Sequence, residues 1–408
     1  MAGDKLTTAV PASRLAAGRT ALRIAAIYVA ARVVTTLFLF AATELSGFTS
    51  RMGADARLGD TVVAWDGMWY WTVAVSGYPG QLPLTDAGQV AENAWAFLPL
   101  YPHLAQWVSL PFGQWSAGAL IVSLVAGYAA SVALYHLLRI RLDESATLWA
   151  VAFFASGPLA ALFHVGYAEA LNLVWLFCAL LAVARRRYVW LYALIPLMAF
   201  TRPGVLAFAL FLALFGIWRW FTRAREPLRG PEIAHIVTAG LLAAVAGFAW
   251  QVIAGWVTGN PDAYLATEMA WRRNWILGDA TFTPLEPFLV GVSYWFETMW
   301  HLPIALGYAL VGGGLLLIAA ALIWLPQVRR LGIEVRLWSA SYLVYLLLVF
   351  FPQSSIFRLL VPLSPLWGAF AVPRSPVWRV GVLLACLAGQ WWWIYNMYAL
   401  GSTNWQVP

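Results

Sequence analysis

Chemistry-bearing side chains are scarce in this chain, and the ones that matter lie between its long apolar runs. Asp66 falls in WDGMWYWTVAVSGYP, residues 65–79, among Trp65, Trp69 and Tyr70. A carboxylate there is a candidate general base, with the aromatics as an amphipathic wall at a membrane interface. The local alternative is an N-cap that accepts amide hydrogen bonds from Met68 or Trp69, and the two roles are compatible. Arg358 closes QSSIFR behind Gln353, and Arg202 sits in TRPG. A guanidinium binds phosphate oxygens in bidentate fashion and stabilises growing anionic charge, whereas an ordinary interfacial arginine only snorkels. Glu169 follows Tyr167 in GYAE at the start of an apolar run, where it either complements the helix dipole or orients Arg358 or an acceptor. Tyr101, His103 and His164 complete the candidate binding residues, the histidines also reading as satisfied polar groups. Arg272 and Arg273 in WRRNW suit either a phosphate or headgroup contact or a solvated loop.

No His, Asp or Glu grouping has metal-ligand spacing, and Asp55, Asp60, Asp86 and Glu92 are scattered, so neither a metal nor another cofactor is expected. Cys178 and Cys386 lie inside apolar runs and read as packing residues.

The elements that must position these groups follow from composition. The 408 residues are 62% hydrophobic and 11% charged, against about 25% charged in a soluble domain. In lipid every backbone group must be satisfied internally, and runs near 20 residues fit helices that cross a bilayer. About eleven runs qualify, near 22–43, 117–138, 146–163, 169–184, 188–200, 204–220, 234–256, 303–325, 337–351, 356–372 and 378–396. They predict an all-α polytopic membrane protein of a single domain.

With those boundaries the clusters Lys5/Arg14/Arg19/Arg23, Arg139/Arg141, Arg185–Arg187, Arg219/Arg223/Arg225/Arg229, Arg329/Arg330/Arg336 and Arg374/Arg379 share one side. The positive-inside rule makes that side cytoplasmic, with residues 1–21 a cytoplasmic tail. The net charge of +7 is thereby a membrane signature and does not indicate nucleic acid. Segments 44–116 and 257–302 become large extracytoplasmic loops, 96–112 an interfacial helix that does not cross, and the candidate residues all fall on the outer face. Arg32 lies within the first span and receives no role.

Taken together, Trp65-Asp66-Gly67-x-Trp69-Tyr70, Ala74-x-x-Gly77-Tyr78 and Ala96-Phe97-Leu98-Pro99-Leu100-Tyr101-Pro102 resemble the PIG-V-type (GPI mannosyltransferase II-like) mannosyltransferases. Those enzymes carry Trp-Asp-x-x-His-Phe and Phe-Phe-Pro-Leu-Tyr-Pro in their first lumenal loop. Gly166–Glu169, Thr201–Gly204 and Gln353–Arg358 are similar to later elements in the same order. Trp69-Tyr70 replaces His-Phe, and Ala168 replaces a small hydroxyl residue. The resemblance implies a C-type (GT-C) glycosyltransferase bundle in a bacterial, actinobacterial-like plasma membrane. It implies transfer of mannose from polyprenyl-phosphate mannose to a lipid or glycan acceptor, with Asp66 as base and inversion at the anomeric carbon. Two alternatives stand beside it: the same fold using glucose or arabinose, and a lipid-linked sugar transporter. A transporter predicts midplane ionisable groups, broken helices in matching halves or a repeat.

Overall fold

The computed structural model describes residues 12–276, 282–401 and 406–408, so Lys5 and part of segment 257–302 lie outside them. The first half contains α1 (Ala12–Glu44), α2 (Asp60–Val63), α3 (Asp66–Ser76), α4 (Leu100–Ser109), α5 (Trp115–Leu138), α6 (Glu144–Ala155), α7 (Glu169–Ala184), α8 (Leu191–Ala199) and α9 (Val205–Thr222). The second contains α10 (Gly230–Thr258), α11 (Ala263–Arg272), α12 (Glu286–Ser293), α13 (Ile304–Trp324), α14 (Pro326–Arg329), α15 (Ile333–Val349), α16 (Ile356–Leu359), α17 (Trp367–Ala371) and α18 (Pro376–Ile394). Among the described residues the only β feature is an isolated Leu84–Val90 bridge. The chain is an all-helical polytopic membrane protein.

Among the described residues, six helical segments are long and apolar enough to cross a membrane: Gly18–Glu44, Trp115–Leu138, Val205–Thr222, Gly230–Thr258, Ile304–Trp324 and Pro376–Leu400. The other five apolar runs are helical but shorter or broken. Run 146–163 stops at Ala155 and resumes as a 3₁₀ turn at Ala160–Phe163. Run 356–372 divides into α16, a 3₁₀ turn bearing Pro362 and Pro365, and α17. Proline removes a backbone donor and clashes with the preceding turn, which accounts for the second break. The first break explains Arg32. Its guanidinium donates to the carbonyls of Ala155 and Ala160 on either side of the gap. It thereby satisfies backbone groups that lipid would leave stranded. Helix α1 begins at Ala12, so the last part of the expected tail, residues 12–21, is helical.

The helices share two ends. Near one, Arg23 pairs with Glu144 at 2.7 Å and Arg374 with Asp143 at 3.3 Å. Arg379 bonds the Ser145 hydroxyl at 2.9 Å, and Arg219 pairs with Glu226 and Glu232 at 3.0 and 3.1 Å. The arginine clusters therefore gather where α1, α6 and α18 start and where α5, α7 and α9 finish. Asp66 follows the far end of α1, while Glu169 and Arg202 stand at the starts of α7 and α9. Helix α4 has 10 residues and spans about 15 Å, half of a bilayer's apolar thickness. Trp107, Leu110 and Phe112 on and beside it are exposed.

Candidate active site

The helix expected after Trp65 forms as α3 and stops at Gly77, whose φ of +70° and N–H bond to the Val73 carbonyl, 3.0 Å, suit a glycine. Asp66 is not its N-cap. The capping position falls to Trp65, and Asp66 occupies the first helical turn with no side-chain cap. Trp65 holds φ +55° and ψ −120°, sparsely populated for a residue with a Cβ and a cost of order 1–3 kcal/mol. The surroundings hold it there. Its indole donates to the Met397 carbonyl at 2.9 Å, and Arg51 lies 4.8 Å over its ring. Gly67 and Gly166 clasp the Val62 carbonyl between them: a Cβ on either would come within 2.4 or 2.5 Å of that oxygen. The two short motifs, WDG and GYAE, are locked together by this close approach, and the Asp66 N–H reaches the Tyr167 hydroxyl at 3.4 Å.

Four charged residues from distant parts of the chain then meet. Arg358, on α16, pairs through Nη1 with the Asp66 carboxylate, and its Nε lies 3.3 Å from Glu169 Oε1. Glu169 also pairs with Arg202. The guanidinium of Arg358 stands 5.3 Å over the Tyr167 ring, a cation–π contact. The order Asp66–Arg358–Glu169–Arg202 alternates in sign, so the set is close to neutral and less costly to bury than a lone ion. Glu169 is the most enclosed member, 4% exposed, and Asp66 the most open at 23%. Neither Glu169 oxygen nor Arg358 Nε has a well-aligned hydrogen bond. These atoms are held by charge and keep directional capacity. A small pocket beside them is lined by Glu169, Asn172, Arg202, Tyr342 and Arg358.

The remaining candidates divide. Tyr70 and Tyr101 are buried beneath the site, edge to face at 5.2 Å, and the Tyr101 hydroxyl is used on Ala119 and Ser123. They support the site and do not line an interfacial wall. Trp69, partly exposed, stacks on Phe97 at 5.7 Å. Gln353 turns its amide to the Ser355 hydroxyl at 3.1 Å. His164 contacts Thr36 of α1 at 3.4 Å, and among the described residues no hydrogen bond or ion pair joins His103 or His164 to the charged set. Arg272 and Arg273 are loop braces: Arg272 is buried against Phe351 and 3.5 Å from Glu286, while Arg273 donates to the Val90 carbonyl. Cys386 packs in the core, and Cys178 is partly exposed.

Sequence reasoning passed over Glu268. It lies one turn after Tyr264 and three residues before Trp271, a stripe that faces the loop 44–116. Trp271 meets Trp69 edge-on at 5.4 Å, and neighbouring Thr267 accepts from the Asn93 amide at 2.9 Å. Glu268 is partly buried and faces Asp66, Arg202 and Tyr345, with a hydrogen bond to the Tyr264 hydroxyl. Burial first, and the charge of Asp66 second, push its carboxyl up to about 7, against the opposing hydrogen bond from Tyr264 and charge of Arg202. An acidic residue on an aromatic helical stripe was the available signal. Among the described residues no cluster of three or more His, Cys, Asp or Glu is arranged to hold a metal.

No protein-family model matches the chain, and no curated protein does. Three solved structures of an Archaeoglobus fulgidus oligosaccharyltransferase superimpose on it. The archaeal oligosaccharyltransferase AglB in complex with an inhibitory peptide and a dolichol-phosphate is 12% identical, with 93% of this chain covered at a TM-score of 0.43. A complex with Zn and sulfate is 14% identical, with 91% covered at 0.40. A form tethered to an acceptor peptide is 12% identical, with 93% covered at 0.39. The chain spans 53–56% of the length of those proteins.

Proposed function

We propose that this protein is an inverting membrane glycosyltransferase. It moves mannose from polyprenyl-phosphate mannose to a hydroxyl of a lipid or glycan acceptor, at the extracytoplasmic face. One observation carries the reading: Asp66, Arg358, Glu169 and Arg202 converge at one end of the helices, next to a pocket. The motif resemblance supplies mannose and the lipid donor.

In this reading the donor's phosphodiester enters beside Arg358 and Arg202. An incoming anion competes with Asp66 for Arg358, and a planar guanidinium satisfies two phosphate oxygens at once. Glu169, held between both arginines, keeps them at a fixed separation. Gln353, five residues before Arg358, adds an amide donor once it leaves Ser355. Asp66, released from the ion pair, accepts the proton of the attacking hydroxyl. The C1–O bond to phosphate breaks as the new glycosidic bond forms on the opposite face, and the anomeric centre inverts. A positioned base contributes about 10²–10⁴-fold, and one oxyanion donor about 10²–10³-fold.

The test is incubation of purified protein with radiolabelled polyprenyl-phosphate mannose, glucose or arabinose and membrane extract. Label moving from the mannose donor into a new product, with the α-linkage, is the expected result. Transfer from glucose or arabinose alone changes the donor, and no transfer from any of them sinks the reading. The two broken runs and buried Arg32 are features that a transporter also uses. Movement of lipid-linked sugar across protein-loaded vesicles, without transfer, replaces the enzyme by that alternative.

A further inference from the structure

Glu268 belongs to the same site as the arginine-linked set but stands outside its wiring. Asp66 and Glu169 each face an arginine in an ion pair, whereas among the described residues Glu268 has no such pair. Its position is fixed from both sides. The Asn93–Thr267 hydrogen bond holds the preceding residue, and Trp271 is packed on Trp69 and Phe97 at 5.4 and 6.0 Å. The groups facing it are Tyr264 on its own helix, Asp66 on α3, Arg202 before α9 and Tyr345 on α15. It thus stands beside the set, under the charges of both Asp66 and Arg202. Resting on the glycosyl-transfer reading, we propose that Glu268 is the acid of the reaction, delivering its proton to the phosphate oxygen that leaves the anomeric carbon.

The step balances. The acceptor hydroxyl forms the new bond to C1 and gives its proton to Asp66. The C1–O bond to phosphate breaks with its electron pair on oxygen, and that oxygen takes the proton of Glu268. The products are the mannoside and the polyprenyl phosphate monoester as its monoanion, with Asp66 protonated and Glu268 ionised. Exchange of one proton between these facing carboxyls, through water, resets the site. Charge that would collect on the leaving phosphate is moved instead to Glu268, beside Arg202. The two acidities are close: the dianion of a phosphate monoester takes up a proton near pH 6, and burial pushes the Glu268 carboxyl up to about 7. Two carboxyl groups in different surroundings, one ion-paired and one not, is how one site holds a base and an acid together.

The sign of the pH dependence follows. The proton-bearing form of Glu268 is present below about pH 7 and lost above it, so transfer falls as pH rises through that value. The experiment measures transfer by wild type, Glu268→Gln and Glu268→Asp between pH 5.5 and 9. Two donors are used: polyprenyl-phosphate mannose, and a mannosyl phosphate whose second ester is an electron-poor aryl group, a better leaving phosphate. Glu268→Gln is expected to lose about 10²-fold with the polyprenyl donor and to lose the alkaline limb. It should recover much of the loss with the aryl donor, while Glu268→Asp keeps the limb at a reduced rate. A Gln variant that retains the wild-type rate and limb overturns the proposal. So does an equal loss with both donors and an unchanged limb, which marks Glu268 as a packing residue. Wild-type protein that transfers from neither donor removes the underlying reading, and the proposal with it. Melting curves for all three proteins show which losses come from unfolding.

Discussion

Among the described residues, two buried arginine–carboxylate networks stand one toward each end of the helices, and they are wired differently. In the first, Arg219 is 1% exposed and every nitrogen of its guanidinium is used. Nε and Nη2 meet Glu232, Nη1 meets Glu226 at 3.0 Å, and Nη2 also donates to the Pro227 carbonyl. The Tyr188 hydroxyl completes Glu232 at 2.8 Å. Its central partners lie within 13 residues and fasten the connection from α9 to α10. In the second network Asp66 and Arg358 are 292 residues apart, and the Glu169 oxygens and Arg358 Nε lack aligned hydrogen bonds. A saturated network stabilises a turn. An unsaturated one, opening on a pocket and assembled from distant elements, retains capacity for a ligand, and buried polar atoms left unaligned need such a reason.

Mutation separates the two. The largest effect is expected from Asp66→Asn. It preserves shape and a hydrogen-bonding oxygen but cannot take a proton at neutral pH, so transfer falls by about 10²–10⁴-fold. Its melting curve should stay that of a folded protein, because Arg358 keeps Glu169 as a partner. Near-wild-type transfer by this variant moves the base elsewhere. Arg219→Ala should behave in the opposite way. Stranding Glu232, 12% exposed, costs about 3–5 kcal/mol in stability. The fraction that remains folded should transfer sugar at the wild-type rate. A folded Arg219→Ala protein with crippled transfer breaks the distinction between the networks.

Arg358→Lys replaces a bidentate fork by a point charge that still neutralises Asp66. Transfer at subsaturating donor is expected to fall by an amount equivalent to about 1.5–3 kcal/mol, with little change in melting. An unchanged rate reduces Arg358 to a structural ion-pair partner. The mildest perturbation addresses which end faces outward. Single cysteines at Asp86 and Gln114, in a background lacking Cys178 and Cys386, should both react with an impermeant thiol reagent in intact cells. Labelling of the Gln114 position only after permeabilisation would place α4 and the unsaturated network differently from the proposal.

Asp66, Glu169, Arg202 and Arg358 were legible as candidates because ionisable residues are rare in so apolar a chain. Rarity did not separate them from Arg272, which has the same composition around it yet serves as a buried brace against Glu286 and Phe351. Nor did it expose Glu268, whose meaning depends on what α11 packs against. Tyr101 and His103, neighbours in one motif, illustrate the same limit. The first is a buried strut on Ser123, and the second is partly exposed.

The sequence by itself determined the helices, because backbone in lipid has no partner except itself and apolar runs of sufficient length leave no other solution. It also determined the helix end at Gly77, where a positive φ excludes most side chains, and the grouping of arginines toward one end. Tertiary structure alone decided that Asp66 pairs instead of capping, that Arg32 closes a gap between Ala155 and Ala160, and that Glu169 bridges two arginines. Local pattern carries periodicity and turn chemistry over a few residues. Which charge meets which depends on contacts between residues tens to hundreds of positions apart, and the strength of each depends on how much water the surrounding helices exclude.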